Sequence, residues 1–169
     1  MSGRAGPRGS AARVQAPLLD RLIDDAPDQD RDPPASAAES MTALRQSVRR
    51  DLEALLNARR CWRSWPDALS ELRTSPIGYG IPDFAAGAFS DQRRRQELRA
   101  EIEDTIRRFE PRFLSVRVHL IEGKDRLETT LRLRIDAVLH AEPAPESMTF
   151  DTLVDPMMDA VMVRANDAG

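Results

Sequence analysis

Apolar residues recur every three or four positions from Met41 onward. Met41, Leu44, Val48, Leu52, Leu55 and Leu56 share one face, while Arg45, Arg49, Arg50 and Asp51 fill the others. This spacing predicts an amphipathic helix of about five turns. Ser40 is its expected N-cap, and Arg59 and Arg60 its expected last turn, where cations suit the negative end of the helix dipole. A short second helix is expected from Pro66, with Leu69 and Leu72 facing one way and Pro76 ending it. The stretch Ile77-Gly78-Tyr79-Gly80-Ile81-Pro82-Asp83-Phe84 reads as a turn-rich connector. A third helix begins at Ser90 or Asp91 and buries Leu98, Ile102, Ile106 and Phe109. It stops at Pro111, because proline disfavours a helical conformation in the residue before it.

Past Pro111 the period falls from 3.6 to 2. Leu114, Val116, Val118 and Leu120 alternate with Ser115, Arg117, His119 and Ile121. Glu122-Gly123-Lys124-Asp125 predicts a hairpin turn. Leu127, Thr129, Leu131, Leu133, Ile135, Ala137 and Leu139 predict a long returning strand. Met148 to Leu153 predicts a third strand, and Met157 to Val163 is a last apolar piece of unassigned form. The expected fold class is α+β: N-terminal helices followed by a small, mainly antiparallel β-sheet with an exposed edge.

Residues 1–38 carry no such pattern. Gly, Pro, Ala, Ser, Arg and Asp dominate, and such a stretch buries too little apolar surface to offset its ordering entropy. It is expected to be largely disordered, with the folded domain over residues 40–164. One island lies within it, residues 17–25, where Leu18, Leu19, Leu22 and Ile23 form a narrow helical stripe around Asp20 and Arg21. Two readings stand: a turn packed on its own domain, or a docking peptide that orders on a partner.

Composition narrows the function. The 169 residues suit one domain, and the formal net charge of −3 argues against a cationic nucleic-acid binder. The single cysteine, Cys61, excludes an internal disulfide and a cysteine-built zinc site. His119 and His140 lack ligand spacing and read as surface or edge residues. The start of the chain has no apolar stretch of the secretory kind, so the expected compartment is the cytoplasm. Trp62 and Trp65 are expected as packing anchors between the first two helices.

Candidate catalytic chemistry is thin. Glu97, Glu101 and Asp104 offer same-face pairs of the kind a glycosidase uses. However, Glu103 precedes Arg107, and Asp104 precedes Arg108, by four residues, the favourable order for ion pairs on a solvated helix face. Gly78-x-Gly80 lacks the third glycine of a phosphate loop and reads as a structural turn. Arg93-Arg94-Arg95 reads as a solvated face or a protein contact. The junction Glu110-Pro111-Arg112 is different. Glu110 sits at a helix C-terminus, where negative charge is disfavoured, and Arg112 offers a permanently charged planar fork. The residues are read either as an intramolecular pair that closes the helix or as a rigid charged elbow presented to another protein.

Five segments, in order, carry a resemblance to a known family: Leu18-Leu19-Asp20-Arg21-Leu22; Asp51-Leu52-Glu53-Ala54-Leu55-Leu56-Asn57-Ala58-Arg59-Arg60; Tyr79-Gly80-Ile81-Pro82-Asp83; Arg107-Arg108-Phe109-Glu110-Pro111-Arg112; and Phe150-Asp151-Thr152-Leu153-Val154-Asp155-Pro156. The chain resembles TssE, the baseplate wedge subunit of bacterial type VI secretion systems, which is similar to the phage tail baseplate protein that initiates the contractile sheath. The resemblance implies a structural role, with no catalysis and no cofactor. It implies TssF and TssG as wedge partners, TssB and TssC as sheath partners, and TssK, the Hcp tube and the VgrG spike in the wider baseplate. Nucleic acid and direct membrane insertion are not implied, and the site of action is the cytoplasmic face of the inner membrane. It puts Glu110, Pro111 and Arg112 at a wedge interface and implies sheath contact by strand addition; Leu18, Leu19, Asp20, Arg21 and Leu22 are the candidate docking peptide. The matching strand candidates are Val116, Val118, Leu131, Leu133 and Ile135. The alternative is a peptidoglycan hydrolase, a lysozyme-like reading that the ion-paired carboxylates disfavour.

Overall fold

The computed structural model describes Asp20, Leu22 and residues 36–60, 68–82, 91–121, 130–141, 144–155 and 160–166. Two helices, α1 (Ala37–Asn57) and α2 (Gln92–Phe109), precede four strands, β1 (Phe113–Ile121), β2 (Leu131–Leu139), β3 (Glu146–Asp155) and β4 (Ala160–Ala165). The strands pair antiparallel in the order β1-β2-β3-β4, a meander in which each strand lies beside its neighbour in the chain. The α+β expectation holds, and the described part of the last apolar piece, from Ala160, lies in the fourth strand.

Register explains the core. Val118 pairs with Ile135 and Ile135 with Phe150; Leu131 pairs with Val154 and Val154 with Val161. Because side chains alternate across a strand, these rows share one face of the sheet, and all are buried. The helices cover that face, α2 along β1 and α1 along β4. Val48, Leu52 and Leu56 of α1 and Ile102 and Ile106 of α2 supply the opposing layer, none more than 1% exposed. The two helical stripes read from the sequence are thus the ones buried. The opposite face, with Arg132, Arg134 and Met162, is open.

Several local expectations shift. Helix α1 starts four residues earlier than Ser40 suggests. Ser36 is the N-cap, in a capping box whose side chain accepts from the Glu39 N–H while Glu39 accepts from the Ser36 N–H. The helix also ends at Asn57, short of Arg59, because the connector takes over the backbone bonding. Ile81 N–H donates to Ala58 O at 3.0 Å and Arg60 N–H to Ile81 O at 2.9 Å, a parallel bridge between Arg59 and Ile81. The described part of the expected second helix holds a 3-10 turn, Ser70–Thr74, with Leu69 50% exposed, and a further 3-10 turn, Pro76–Gly78, opens the connector. So short a run with one half-buried leucine, Leu72, cannot hold an α-helix. A β-bulge at Leu114 turns that side chain out to 56% exposure, where unbroken alternation had placed it in the core. Helix α2 begins at the Asp91 N-cap and ends at Phe109 as expected. Cys61, Trp62, Trp65, Pro66, the turn at 122–125 and Leu127 lie outside the described residues.

Candidate functional site

The junction after α2 is a closed charged network. Glu110 is the C-cap, its N–H still bonded to Ile106 O at 2.9 Å. Pro111 reverses the chain, and Arg112 leads into β1, its C=O accepting from the His140 N–H at the end of β2 at 2.8 Å. The Glu110 residue is only 5% exposed. Its carboxylate accepts from Arg112 Nε at 2.6 Å and also from Arg112 Nη2. The fork continues to α1, where Arg112 Nη2 donates to Asp51 Oδ2 at 2.8 Å and Nη1 reaches Ser47 Oγ at 3.4 Å. The intramolecular reading of the Glu–Arg pair is therefore what the fold contains, with α1 as a third party.

The chain of charges extends one step further. Arg50 Nη2 contacts Asp51 Oδ1 at 3.1 Å and Asp20 Oδ1 at 2.7 Å. Asp20, Arg50, Asp51, Arg112 and Glu110 thus alternate in sign around the Ser47 hydroxyl, itself buried. Each sign supports the next. Burial works against the Arg112 cation, but Glu110 and Asp51 together hold its pKa above the usual arginine value. The Ser47 hydroxyl, followed by Arg50, holds the Asp20 carboxyl below the ordinary aspartate range against a small cost of burial. The Tyr79 phenol is pushed up by burial and by the Asp51 and Glu110 charges, and its ring packs edge-on against Phe109 at 5.3 Å. Ser47, Arg50 and Asp51 escaped the sequence reading as members of this site. Their only local signal is a polar serine beside the apolar stripe of α1.

The α2 carboxylates are also accounted for. Glu97 pairs with Arg93, Glu101 with Arg60, Glu103 with Arg99 and Arg107, and Asp104 with Arg108. A groove of about 580 Å³ runs between α2 and β1, lined by Arg95, Arg99, Glu103, Arg117 and His119 among others, and Glu103 is its one carboxylate among the described residues. Glycoside hydrolysis needs two flanking carboxyl groups. His119 Nε2 lies 3.5 Å from Asp136, and no group of three metal-ligating side chains occurs among the described residues. No helix of the described residues is long and apolar enough to cross a membrane.

A family model described as baseplate wedge protein gp25 matches residues 42–144, more than half of the chain. The chain belongs to the gp25 baseplate wedge family. This is the family of TssE, the type VI baseplate subunit, and it is a structural baseplate family. No curated protein matches the chain. The gp25 match takes in most of α1, the connector, α2, the elbow, β1 and β2; Asp20, β3 and β4 lie outside it.

Within this gp25-family fold the strand candidates fall on two strands. Leu131, Leu133 and Ile135 lie on β2, which is paired on both sides, so they have no free margin to offer and are core residues. Val116 and Val118 lie on the outer strand β1, but their side chains face the core, and only their backbone margin faces outward. Of the docking peptide, Asp20 rests on Arg50 and Ser47 while Leu22 is exposed; Leu18, Leu19 and Arg21 lie outside the described residues.

The Asp20 contact has a defined pH behaviour. A carboxyl held below its unfolded value stabilises the contact of Asp20 with α1 above about pH 4, and that contribution is lost as pH falls through the folded value. An NMR titration of the Asp20 carboxyl is expected to inflect below the ordinary aspartate value, and to move only part of the way back in Arg50→Ala, because the Ser47 hydroxyl remains. An unshifted wild-type inflection would show that the segment does not rest on α1.

Proposed function

We propose that this chain is the TssE-type wedge subunit of a type VI baseplate, joining the wedge to the contractile sheath and priming sheath polymerisation. The observation that carries this reading is the gp25 family match across the two helices and the elbow. TssF and TssG are the wedge partners, TssB and TssC the sheath partners, and TssK, the Hcp tube and the VgrG spike complete the surroundings, at the cytoplasmic face of the inner membrane. The role in this reading is structural: the α2 carboxylates are tied to arginines, and Glu103 is the one acid among the described residues that line the α2–β1 groove.

Glu110, Pro111 and Arg112 face the wedge in this reading, and the internal network is what makes them a rigid element. A loop that must present one shape to a large complex loses less entropy on binding when it is fixed beforehand. The Glu110 carboxylate holds the Arg112 fork, the fork holds α1, and the partly exposed outer side of that fork is left for a neighbour. Such a joint is modest for one subunit and strong for a ring of identical ones, through multivalency.

Capture on tagged TssF–TssG tests this. The full chain is expected to be retained, and Arg112→Lys, which keeps the charge and loses the fork, is expected to weaken retention at least tenfold while remaining folded. Undiminished retention of Arg112→Lys would remove the elbow from the interface. Failure of the unaltered chain to be retained would remove the wedge assignment.

A further inference from the structure

The groove of about 580 Å³ between α2 and β1 lies apart from the elbow, and its charges do not balance. Arg95 and Arg99 line it from α2 and Arg117 from β1, against the single carboxylate of Glu103 among the described residues. In a chain of net charge −3, this is a local excess of cations. Arg99 is engaged. It pairs with Glu103 at 3.1 Å, its Nε donates to Gln96 Oε1 at 3.2 Å, and its Nη1 donates to Val118 O at 3.2 Å. Glu103 is engaged as well, with Arg99, with Arg107 at 2.8 Å and with the Val118 N–H at 3.1 Å.

Arg95 and Arg117 are not. No carboxylate among the described residues pairs with either of them. Arg95 is half-buried, and its Nε is a buried donor with no hydrogen-bond partner. A buried donor without an acceptor is unfavourable, and a ligand that supplies the acceptor removes the penalty. The guanidinium carries its donors in one rigid planar fork. An oxyanion in the groove can therefore meet Nε and one Nη of Arg95 together. The backbone of β1 is already answered from α2, at Val118 by Glu103 and Arg99 and at Val116 O by Arg107 Nη2 at 3.5 Å. The backbone of β4 is likewise answered from α1, where Asn57 exchanges two hydrogen bonds of 2.8 Å with Val161. What the groove leaves open is side-chain charge.

We propose that the α2–β1 groove binds a small phosphorylated molecule, whose phosphate group is held by Arg95 and Arg117. A phosphate monoester carries a charge of about −1.5 to −2 near pH 7 and three strong acceptor oxygens. That matches two unpaired arginines on two different elements. A single carboxylate has one charge and is satisfied by one fork. The volume suits a phosphate with an organic body attached, since small-molecule sites occupy roughly 300–1,000 Å³. Leu120 and Ile121 give that body apolar surface, and the Gln92 carboxamide gives it a further polar contact. Glu103 does not repel the phosphate, because Arg99 and Arg107 neutralise it. The site is separate from the elbow and does not depend on the baseplate reading.

The test is an NMR titration of the purified full chain, at low salt in a phosphate-free buffer. The probe is β-glycerophosphate, and succinate is the dicarboxylate control. The probe is expected to shift the Arg95 Nε–H signal and the amides of Gln96, Val118 and His119 saturably, and to bind at least fivefold more tightly than succinate. Arg95→Gln and Arg117→Gln are each expected to weaken it at least fivefold while the other sheet amides stay in place. Arg93→Gln, at an exposed arginine paired with Glu97 and outside the groove, is expected to change nothing. Should Arg95→Gln lose the fold, Arg117→Gln carries the test, because that side chain is exposed. Shifts that never saturate, that spread over the surface arginines, or that persist undiminished in the folded variants overturn the site. Equal affinity for succinate overturns the phosphate assignment.

Discussion

Replacing Arg112 by alanine is expected to destabilise the domain by about 3 kcal/mol, the lower part of the range for breaking a buried ion pair from one side. The loss does not come mainly from the attraction removed. It comes from Glu110, a residue only 5% exposed, whose carboxylate is left without the fork that holds both its oxygens. The partial exposure of Arg112 lets some water reach the gap, which keeps the cost at the low end. Asp51 and Ser47 lose their cross-link to the elbow in the same step, so α1 is released from the end of α2. Chemical denaturation of the full chain measures this. The double variant Glu110→Gln with Arg112→Met removes the stranded charge and is expected to recover more than half of the loss, because the penalty belongs to the pair and not to either residue alone. A cost below about 1 kcal/mol for Arg112→Ala would show that the elbow does not hold the fold. The wedge assay uses Arg112→Lys for this reason: a variant that loosens the fold cannot report on an interface.

Gly80→Ala is expected to cost a comparable amount, about 2–4 kcal/mol, combining strain of a non-glycine residue at positive φ with the loss of one or two hydrogen bonds. Gly80 has φ +96°, and a Cβ there would sit 2.3 Å from Ala58 O. That oxygen accepts from the Ile81 N–H, so the collision falls on the bridge that ends α1 and buries Ile81 completely. The atom in the way is backbone and not the far end of a flexible side chain. Tyr79, one residue away, is expected to lose its edge-on packing against Phe109, and its aromatic ring-proton NMR shifts report the rearrangement. Thermal unfolding of Gly80→Ala against the unaltered chain gives the magnitude. A melting temperature unchanged within a degree would mean that the connector can bend away without cost.

Much of this architecture is legible along the chain. The stripe from Leu44 to Leu56 and the one from Leu98 to Ile106 are the buried faces of the two helices. The change of period after Pro111 is the change from helix to sheet. The i, i+4 pairs Glu103–Arg107 and Asp104–Arg108 form as their spacing indicates. The misreadings are also local. Ser40 stands beside the first apolar residue, but Ser36-Ala37-Ala38-Glu39 has the spacing of a capping box, and that is where the helix starts. Leu114 breaks step because a bulge adds a residue to one strand only, and alternation cannot show that.

The candidate site was half visible. Glu110 at a helix C-terminus demanded a compensating cation, and Arg112 two residues on was the obvious supplier. Nothing in the order of residues pointed to Asp51, which lies 61 positions away from Arg112, or to the Asn57–Val161 contact across 104 positions. Nor could the sequence distinguish outer from inner strands, so β2 and β1 looked alike as strand candidates. By itself, then, the sequence determined which residues form helices and strands and which side of each is buried, because an element with one dry face must repeat its apolar residues at its own geometric period. Tertiary structure alone decided which charged side chains meet at the elbow and which side chains cover the sheet margins. Those pairings depend on where whole faces come together, and the period within a single element carries no information about its neighbour.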